Sequence, residues 1–314
     1  MDDVEVVTSR EVPLGGPRAM SVRRTLPQRQ RSLVGAWCFA DHYGPDDVAS
    51  SGGMDVPPHP HTGLQTVSWL FAGEVEHRDS GGVHALVRPG ELNLMTAGRG
   101  VAHSEVSTPS TTTLHGVQLW VALPDEARHL PRRFDHHVPP VIALPGGSAR
   151  VLLGSLAGSR SPVPTHTPLL GAEVVVDPRS EVVLDVEPGF EHGVLVDAGP
   201  VLVDGVELAR TELGFVDTGA SRLLVANAGD EPARVMLLGG EPFQEPLVMW
   251  WNFVGRSHEE IVGFREQWQA TSDRFGRVEG YTGFPQHLPA PPLPNARIMP
   301  RMHPPGPGDR SAWG

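Results

Sequence analysis

Two short runs carry the residues best suited to chemistry: PPHPHTG, with His59 and His61, and TAGRGVAHSE, with His103 and Glu105. In an extended strand successive side chains point to opposite faces, so residues two apart share a face. Each run therefore aims two metal-type donors the same way. On neighbouring strands, three imidazoles and a carboxylate can converge on one ion inside a β-barrel. Three nitrogens and one oxygen leave two positions of an octahedral shell open. That suits chemistry, because structural metal sites fill their shell. Without thiolate the set suits Fe(II) and can also take Mn, Co, Ni, Cu or Zn, with affinity alone favouring copper.

The elements that position these donors can be read around them. Pro57, Pro58 and Pro60 lock φ and disfavour helix in the preceding residues, which limits the entropy lost on ordering His59 and His61. Gly98 and Gly100 allow a tight turn just before His103. TVSWLFAGEVEHRDS reads as a hairpin, with residues 67–71 and 75–79 extended around AGE. Its His77 and Asp79 are either partners that orient a ligand imidazole or simple surface polarity. HALVR, ELNLM and LHGVQLWVALP supply further strands, and Trp69, Phe71 and Met95 are expected in the core rather than in a substrate pocket. His42, without a second ligand at strand spacing, is expected as a packed or hydrogen-bonded histidine. His136 and His137 are adjacent, so a strand points them to opposite faces and a solvated pair is expected.

The 314 residues suffice for two domains, each with its own core. The 36 Gly and 32 Pro interrupt helices so often that many short strands, in a sandwich or barrel, are favoured. Acidic residues outnumber basic ones by 37 to 25, giving a net charge of −12, which disfavours direct nucleic-acid binding. A single cysteine, Cys38, excludes an internal disulfide and a Cys-rich zinc site, and is expected in the core. MDDVEVVTSREV lacks the basic start and apolar core of a signal peptide, and no apolar stretch approaches the roughly 20 residues of a membrane span. A cytoplasmic protein is the expectation.

Residues 23–31, rich in Arg, are expected as a solvated connection, and 1–135 as the first domain. A linker is expected over 136–147. From 148 to 284 a second strand series appears, ARVLLGS, LLGAEVVVD, EVVLDVE, HGVLVDAG, PVLVDG, LGFVDT, SRLLVANA and ARVMLLGG, with a spacing like the first half. It lacks His-x-His and His-x-Glu, and His166 and His192 stand alone, so a metal-free domain is expected. Ser257 followed by Glu260 fits a capping box, and Ile261, Phe264 and Trp268 recur at helical spacing, which predicts one C-terminal helix. Residues 285–314 are too Pro-rich for a packed element, so an extended or disordered tail is expected.

These blocks resemble the cupin superfamily and, within it, the pirin family. Gly53, His59-x-His61, Gly73 and Gly100-x-x-His103 follow the cupin pattern. Where cupins usually place a ligand Glu shortly after the paired histidines, this chain has Gln65 and Thr66. The carboxylate is displaced to Glu105, as in pirins. PPHPHTGLQTVSWLFAGEVEHRDSGG, PGELNLMTAGRGVAHSE, LHGVQLWVALP and GEPFQEPLVMWWNFVGRSHEEI all resemble pirin blocks, so the likeness extends to about residue 270. The resemblance implies an all-β bicupin, two jelly-roll barrels facing each other, with iron in the first held by His59, His61, His103 and Glu105. It implies a quercetin 2,3-dioxygenase-like enzyme that opens a flavonol with O2 and releases carbon monoxide; for that reaction Glu105, besides being a ligand, is the candidate base for the substrate hydroxyl. The family also has a nuclear member acting as a transcription cofactor, so the alternative is a redox- or metal-sensing regulator that binds a protein partner.

Overall fold

The computed structural model describes residues 4–14 and 20–301, in which the Gly and Pro punctuation separates short antiparallel strands. They build two barrels of one topology. In the first, a seven-stranded sheet runs Arg133–His137, Leu92–Thr96, Leu64–Ala72, Thr113–Ala122, Trp37–Asp47, Ser21–Leu26, Arg10–Pro13. Its four-stranded partner runs Asp55–His61, Val101–Ser107, Val75–Asp79, His84–Val87. The second barrel repeats the order with Glu5–Val7, Leu213–Val216, Glu191–Ala198, Ala233–Gly240, Leu169–Val176, Gly147–Leu153 and Ile142–Leu144. Its smaller sheet runs Glu181–Asp185, Arg222–Asn227, Val201–Val203, Val206–Leu208. Two such sheets closed on each other form the jelly-roll barrel of a bicupin. Edge strands are exchanged between the units: Glu5–Val7 completes the second barrel, and Arg133–His137 completes the first.

Burial explains why the strands read differently in sequence. Along the large sheet of the second barrel, Val194, Val196, Val235 and Leu237 face that barrel's own core. The alternate residues Leu195, Met236 and Leu238 join a core shared with Trp37, Val67 and Trp69 of the first barrel. With both faces covered, the strand reads as the continuous run VMLLGG after Arg234, whereas EVVLD in the outer sheet alternates exposed and buried residues. Trp37 anchors the joint, its indole N–H lying 3.0 Å from the Leu170 carbonyl and 3.2 Å from that of Gly239.

Four expectations need correction or refinement. Leu64–Ala72 and Val75–Asp79 do not pair as a hairpin; the first pairs with Leu92–Thr96 and Thr113–Ala122, the second with Val101–Ser107 and His84–Val87. Their tight turn carries the chain between opposing sheets, and turn chemistry alone does not distinguish such an arch from a hairpin. The Arg-rich stretch includes strand Ser21–Leu26, whose buried Val22 and Leu26 hold it while Arg24 pairs with Asp41 at 2.7 Å. His136 and His137 of the expected linker lie in strand Arg133–His137, where His136 Nδ1 is 3.0 Å from Asn93 Oδ1. Of the expected tail, residues 285–301 form no helix or longer strand and are mostly exposed, as an extended segment should be, but Ala290, Leu293 and Ile298 anchor them to a hydrophobic cluster, and 302–314 lie outside the described residues.

Those anchors sit against the helix His258–Gln269, which buries Ile261, Phe264 and Trp268 as their spacing predicts. Ser257 Oγ accepts from Glu260 N at 3.2 Å, and the Glu260 carboxylate accepts from Arg256 N at 2.7 Å, one residue before the cap. The Trp268 ring stacks on His287 at 3.7 Å between centroids and donates to the Leu288 carbonyl at 2.8 Å. No helix among the described residues is long and apolar enough to cross a membrane.

Candidate functional site

Asp55–His61 and Val101–Ser107 are antiparallel neighbours, with His103 opposite His59 and Val101 opposite His61. Beyond His103 the register slips, and Glu105 stands opposite Val56. The extra residue falls at Pro57 and Pro58, which have no N–H to lose from the ladder, so the bulge re-aims side chains at little cost. Gly63 N–H donates to the Gly98 carbonyl at 2.9 Å and ties the two donor runs together. Both glycines are left-handed, with φ of 67° and 51°. A Cβ on Gly63 would stand 2.3 Å from Val254 O, and one on Gly98 would stand 2.0 Å from Leu130 O.

Three of the four expected donors converge, and the fourth, Glu105, groups with His103 and His77 instead of with His59 and His61. One ring nitrogen from each of His59, His61 and His103 lies within 4.8 Å of the others, and Nε2 of His61 and His103 are 3.1 Å apart. His103, His77 and the Glu105 carboxylate meet the same 4.8 Å limit, so His103 belongs to both groups. All five residues are buried. His59 Nδ1 is 2.9 Å from the Pro57 carbonyl, which assigns the proton to Nδ1 and leaves the Nε2 lone pair free. Glu105 accepts from Ser68 Oγ at 3.2 Å.

Burial pushes His59 down to about 4 and His61 and His103 well below the ordinary imidazole value, with neighbouring imidazoles adding to the effect. Burial raises the Glu105 carboxyl, against the opposing influence of His77, Ser68 and Gln118. Neutral imidazoles offer lone pairs and the adjacent carboxylate offers charge. A divalent transition metal fits that combination, since its ligands bind deprotonated.

A cavity of about 290 Å3 opens on His59, His61 and Glu105. Phe39 and Trp120 form its aromatic wall, stacked at 4.0 Å and 11°. Trp251, Asn252 and Leu288 come from the C-terminal segment, and Gln118 and Arg24 add polar groups. Trp251 sits at φ 52°, a left-handed conformation rare for a bulky residue, in the turn between Val248–Trp250 and Phe253–Gly255. A more open depression at Gly154 and residues 160–165 contains neither His nor carboxylate.

Other residues singled out in the sequence lie elsewhere. Trp69 donates to Glu173 at 2.7 Å between the barrels, Met95 is in the core, and Phe71 packs beside His115. Cys38 is buried. His42 is buried and hydrogen-bonded to Asp197 at 2.6 Å, and His115 reaches the same carboxylate oxygen at 2.5 Å. Sequence reasoning missed this cluster and the Phe39, Trp120 and Trp251 lining. The only local signal for the latter is apolar strand character, which every wall strand shares.

Two jelly-roll barrels, with a mixed nitrogen and oxygen donor cluster in the first, place the molecule in the bicupin class of cupins. The pirin family model matches residues 19–121, and that of the pirin C-terminal cupin domain matches 171–276. A Pseudomonas aeruginosa protein provisionally named a quercetin 2,3-dioxygenase is 44% identical over 289 residues, covering 92% of this chain and 90% of its own. Rat pirin is 32% identical, with 81% and 87% covered. The crystal structure of a quercetin 2,3-dioxygenase from Acinetobacter baumannii superposes with a TM-score of 0.88 at 38% identity, covering 93% of this chain and 96% of that one. The chain belongs to the pirin family.

Proposed function

We propose that the protein is a metal-dependent dioxygenase acting on a flavonol or a related planar hydroxylated aromatic with O2. The observation that carries this is the opening of the buried donors His59, His61 and Glu105 onto an aromatic-walled cavity. His59, His61, His103 and Glu105 hold the metal, ferrous iron before Mn, Co, Ni, Cu or Zn. When bound, such an ion lowers the pKa of a coordinated hydroxyl and brings O2 and the organic substrate together. Trp120 and the edge of Phe39, whose faces are taken by Trp120 and the Arg24 guanidinium, give the substrate rings an apolar wall, and Trp251 and Leu288 limit access of water. Glu105, made more basic by burial, takes the proton from the substrate hydroxyl. Similarity to the Pseudomonas and Acinetobacter proteins supports the substrate class.

The metal site belongs to the first barrel alone in this reading. In the second, the equivalent ladder pairs Leu184 with Leu223 and Val182 with Val225, all buried. Glu105→Gln tests the base role, with bound metal and flavonol turnover measured separately. The expected result is retained metal with carbon monoxide release reduced by roughly 100- to 10,000-fold. Full turnover with metal retained excludes that role. Absence of O2 uptake with flavonols by the iron-loaded protein, together with a partner captured by only one iron oxidation state, would favour the regulatory alternative.

A further inference from the structure

We propose that Asp79 and His77 form a positioning chain that fixes the tautomer of His103 and so prepares the site for metal; this rests on the metal reading above. Strand Val75–Asp79 flanks Val101–Ser107 on the side away from His59 and His61, with Asp79 opposite His103 and His77 opposite Glu105. Asp79 Oδ1 accepts from Gly81 N at 2.7 Å and Val83 N at 3.2 Å. Its Oδ2 lies 3.4 Å from His77 Nε2, and His77 Nδ1 lies 3.4 Å from His103 Nδ1. His77, Asp79 and His103 are 2%, 5% and 1% exposed, so protein groups rather than bulk water settle where the protons sit.

A carboxylate oxygen accepts, and Asp79 Oδ2 faces His77 Nε2, so this contact calls for the ring proton on Nε2. With a single proton on its ring, His77 has its lone pair on Nδ1, and the facing Nδ1 of His103 is the donor. His103 keeps its lone pair on Nε2, the nitrogen that faces His61. The reverse order sets a lone pair of His77 against the Asp79 carboxylate and puts a proton on the His103 nitrogen that the metal needs. His59 reaches the same state through Pro57. Outer hydrogen bonds of this kind fix ligand tautomer and orientation in metal sites generally. At 3.4 Å the two links are long, so they choose a tautomer rather than add much binding energy.

Asp79→Asn separates this role from packing because it preserves shape. The Gly81 and Val83 amides keep the amide oxygen where Oδ1 was, so the NH2 faces His77. The chain then reverses, and the proton of His103 moves to Nε2. His77→Gln preserves the direction, since its oxygen accepts from His103 and its NH2 donates to Asp79; His77→Leu removes the chain. Nitrogen NMR of histidine-labelled, metal-free protein reports which ring nitrogen is protonated, and chelator competition reports Fe(II) and Mn(II) affinity. We expect His77→Gln to bind metal within about threefold of wild type, and Asp79→Asn and His77→Leu to lose roughly tenfold to a hundredfold. An unchanged His103 tautomer in Asp79→Asn, or equal losses in His77→Gln and His77→Leu, overturns the proposal. Wild-type protein that takes up neither metal overturns the metal reading instead, while the tautomer measurement still decides the chain.

Discussion

His103 is the residue on which the candidate site turns, because it alone belongs to both donor groups, with His59 and His61 on one side and His77 and Glu105 on the other. His103→Ala is therefore expected to remove metal before it affects folding. Its affinity loss should exceed the roughly hundredfold ceiling typical of outer partners. Metal content after exhaustive dialysis, compared with that of the Glu105→Gln variant, checks this. Full loading of His103→Ala contradicts the ligand assignment. Four residues of the cluster were legible because period-two spacing puts His59 with His61 and His103 with Glu105 on common faces. The contact of His77 with His103 was open in the sequence, since the pairing of their strands depends on a non-local choice.

Among the elements, the helix His258–Gln269 and the Pro-rich segment after it act as one unit. Trp268, 2% exposed, stacks on His287, meets Phe275 edge-on and holds Leu288, which lines the cavity. Trp268→Ala should cost about 3–5 kcal/mol of stability and weaken retention of an aromatic ligand. Loss of the Ser257 cap should cost only about 1 kcal/mol. Urea unfolding of the two variants side by side tests the ranking, and a smaller loss for Trp268→Ala than for Ser257→Ala refutes it. The helix was readable because its cap and apolar stripe are local. The packing of the segment was not, because Leu288, Ala290, Leu293 and Ile298 are scattered among prolines without a period.

Across the whole molecule, the barrels are joined by apolar packing and by Asp197, which His42, His115 and Arg234 engage at 2.6, 2.5 and 2.7 Å. Burial alone raises the Asp197 carboxyl, but the hydrogen bonds from His115 and His42 outweigh it and hold the group well below the usual carboxylate range. A carboxyl depressed in the folded state stabilises above its unfolded value of about 3.9, and that contribution fades as pH falls towards the folded value. His42, pushed down by burial, adds in the same direction: stability declines as pH drops below the ordinary imidazole value of about 6.5. Asp197→Ala leaves buried partners without their anion and should cost about 3–5 kcal/mol at neutral pH. The gap to wild type should narrow below roughly pH 4. Unfolding curves at both pH values decide this, and a gap of constant size rules out the ionic account.

The amino-acid sequence by itself determined the all-β class, the doubled strand series, the two paired sets of metal-type side chains and the capped helix. Each is written in a local period, two for strands and 3.6 for the helix, that needs no knowledge of distant partners. Only the tertiary structure decided that Leu64–Ala72 and Val75–Asp79 part to opposite sheets, that a bulge places Glu105 opposite Val56, and that Trp251 and Leu288 roof a cavity in the first barrel. Those outcomes depend on contacts between residues far apart in the chain, such as His42 with Asp197 across 155 positions. Their free energy is shared among many partners, so no single stretch of sequence records it.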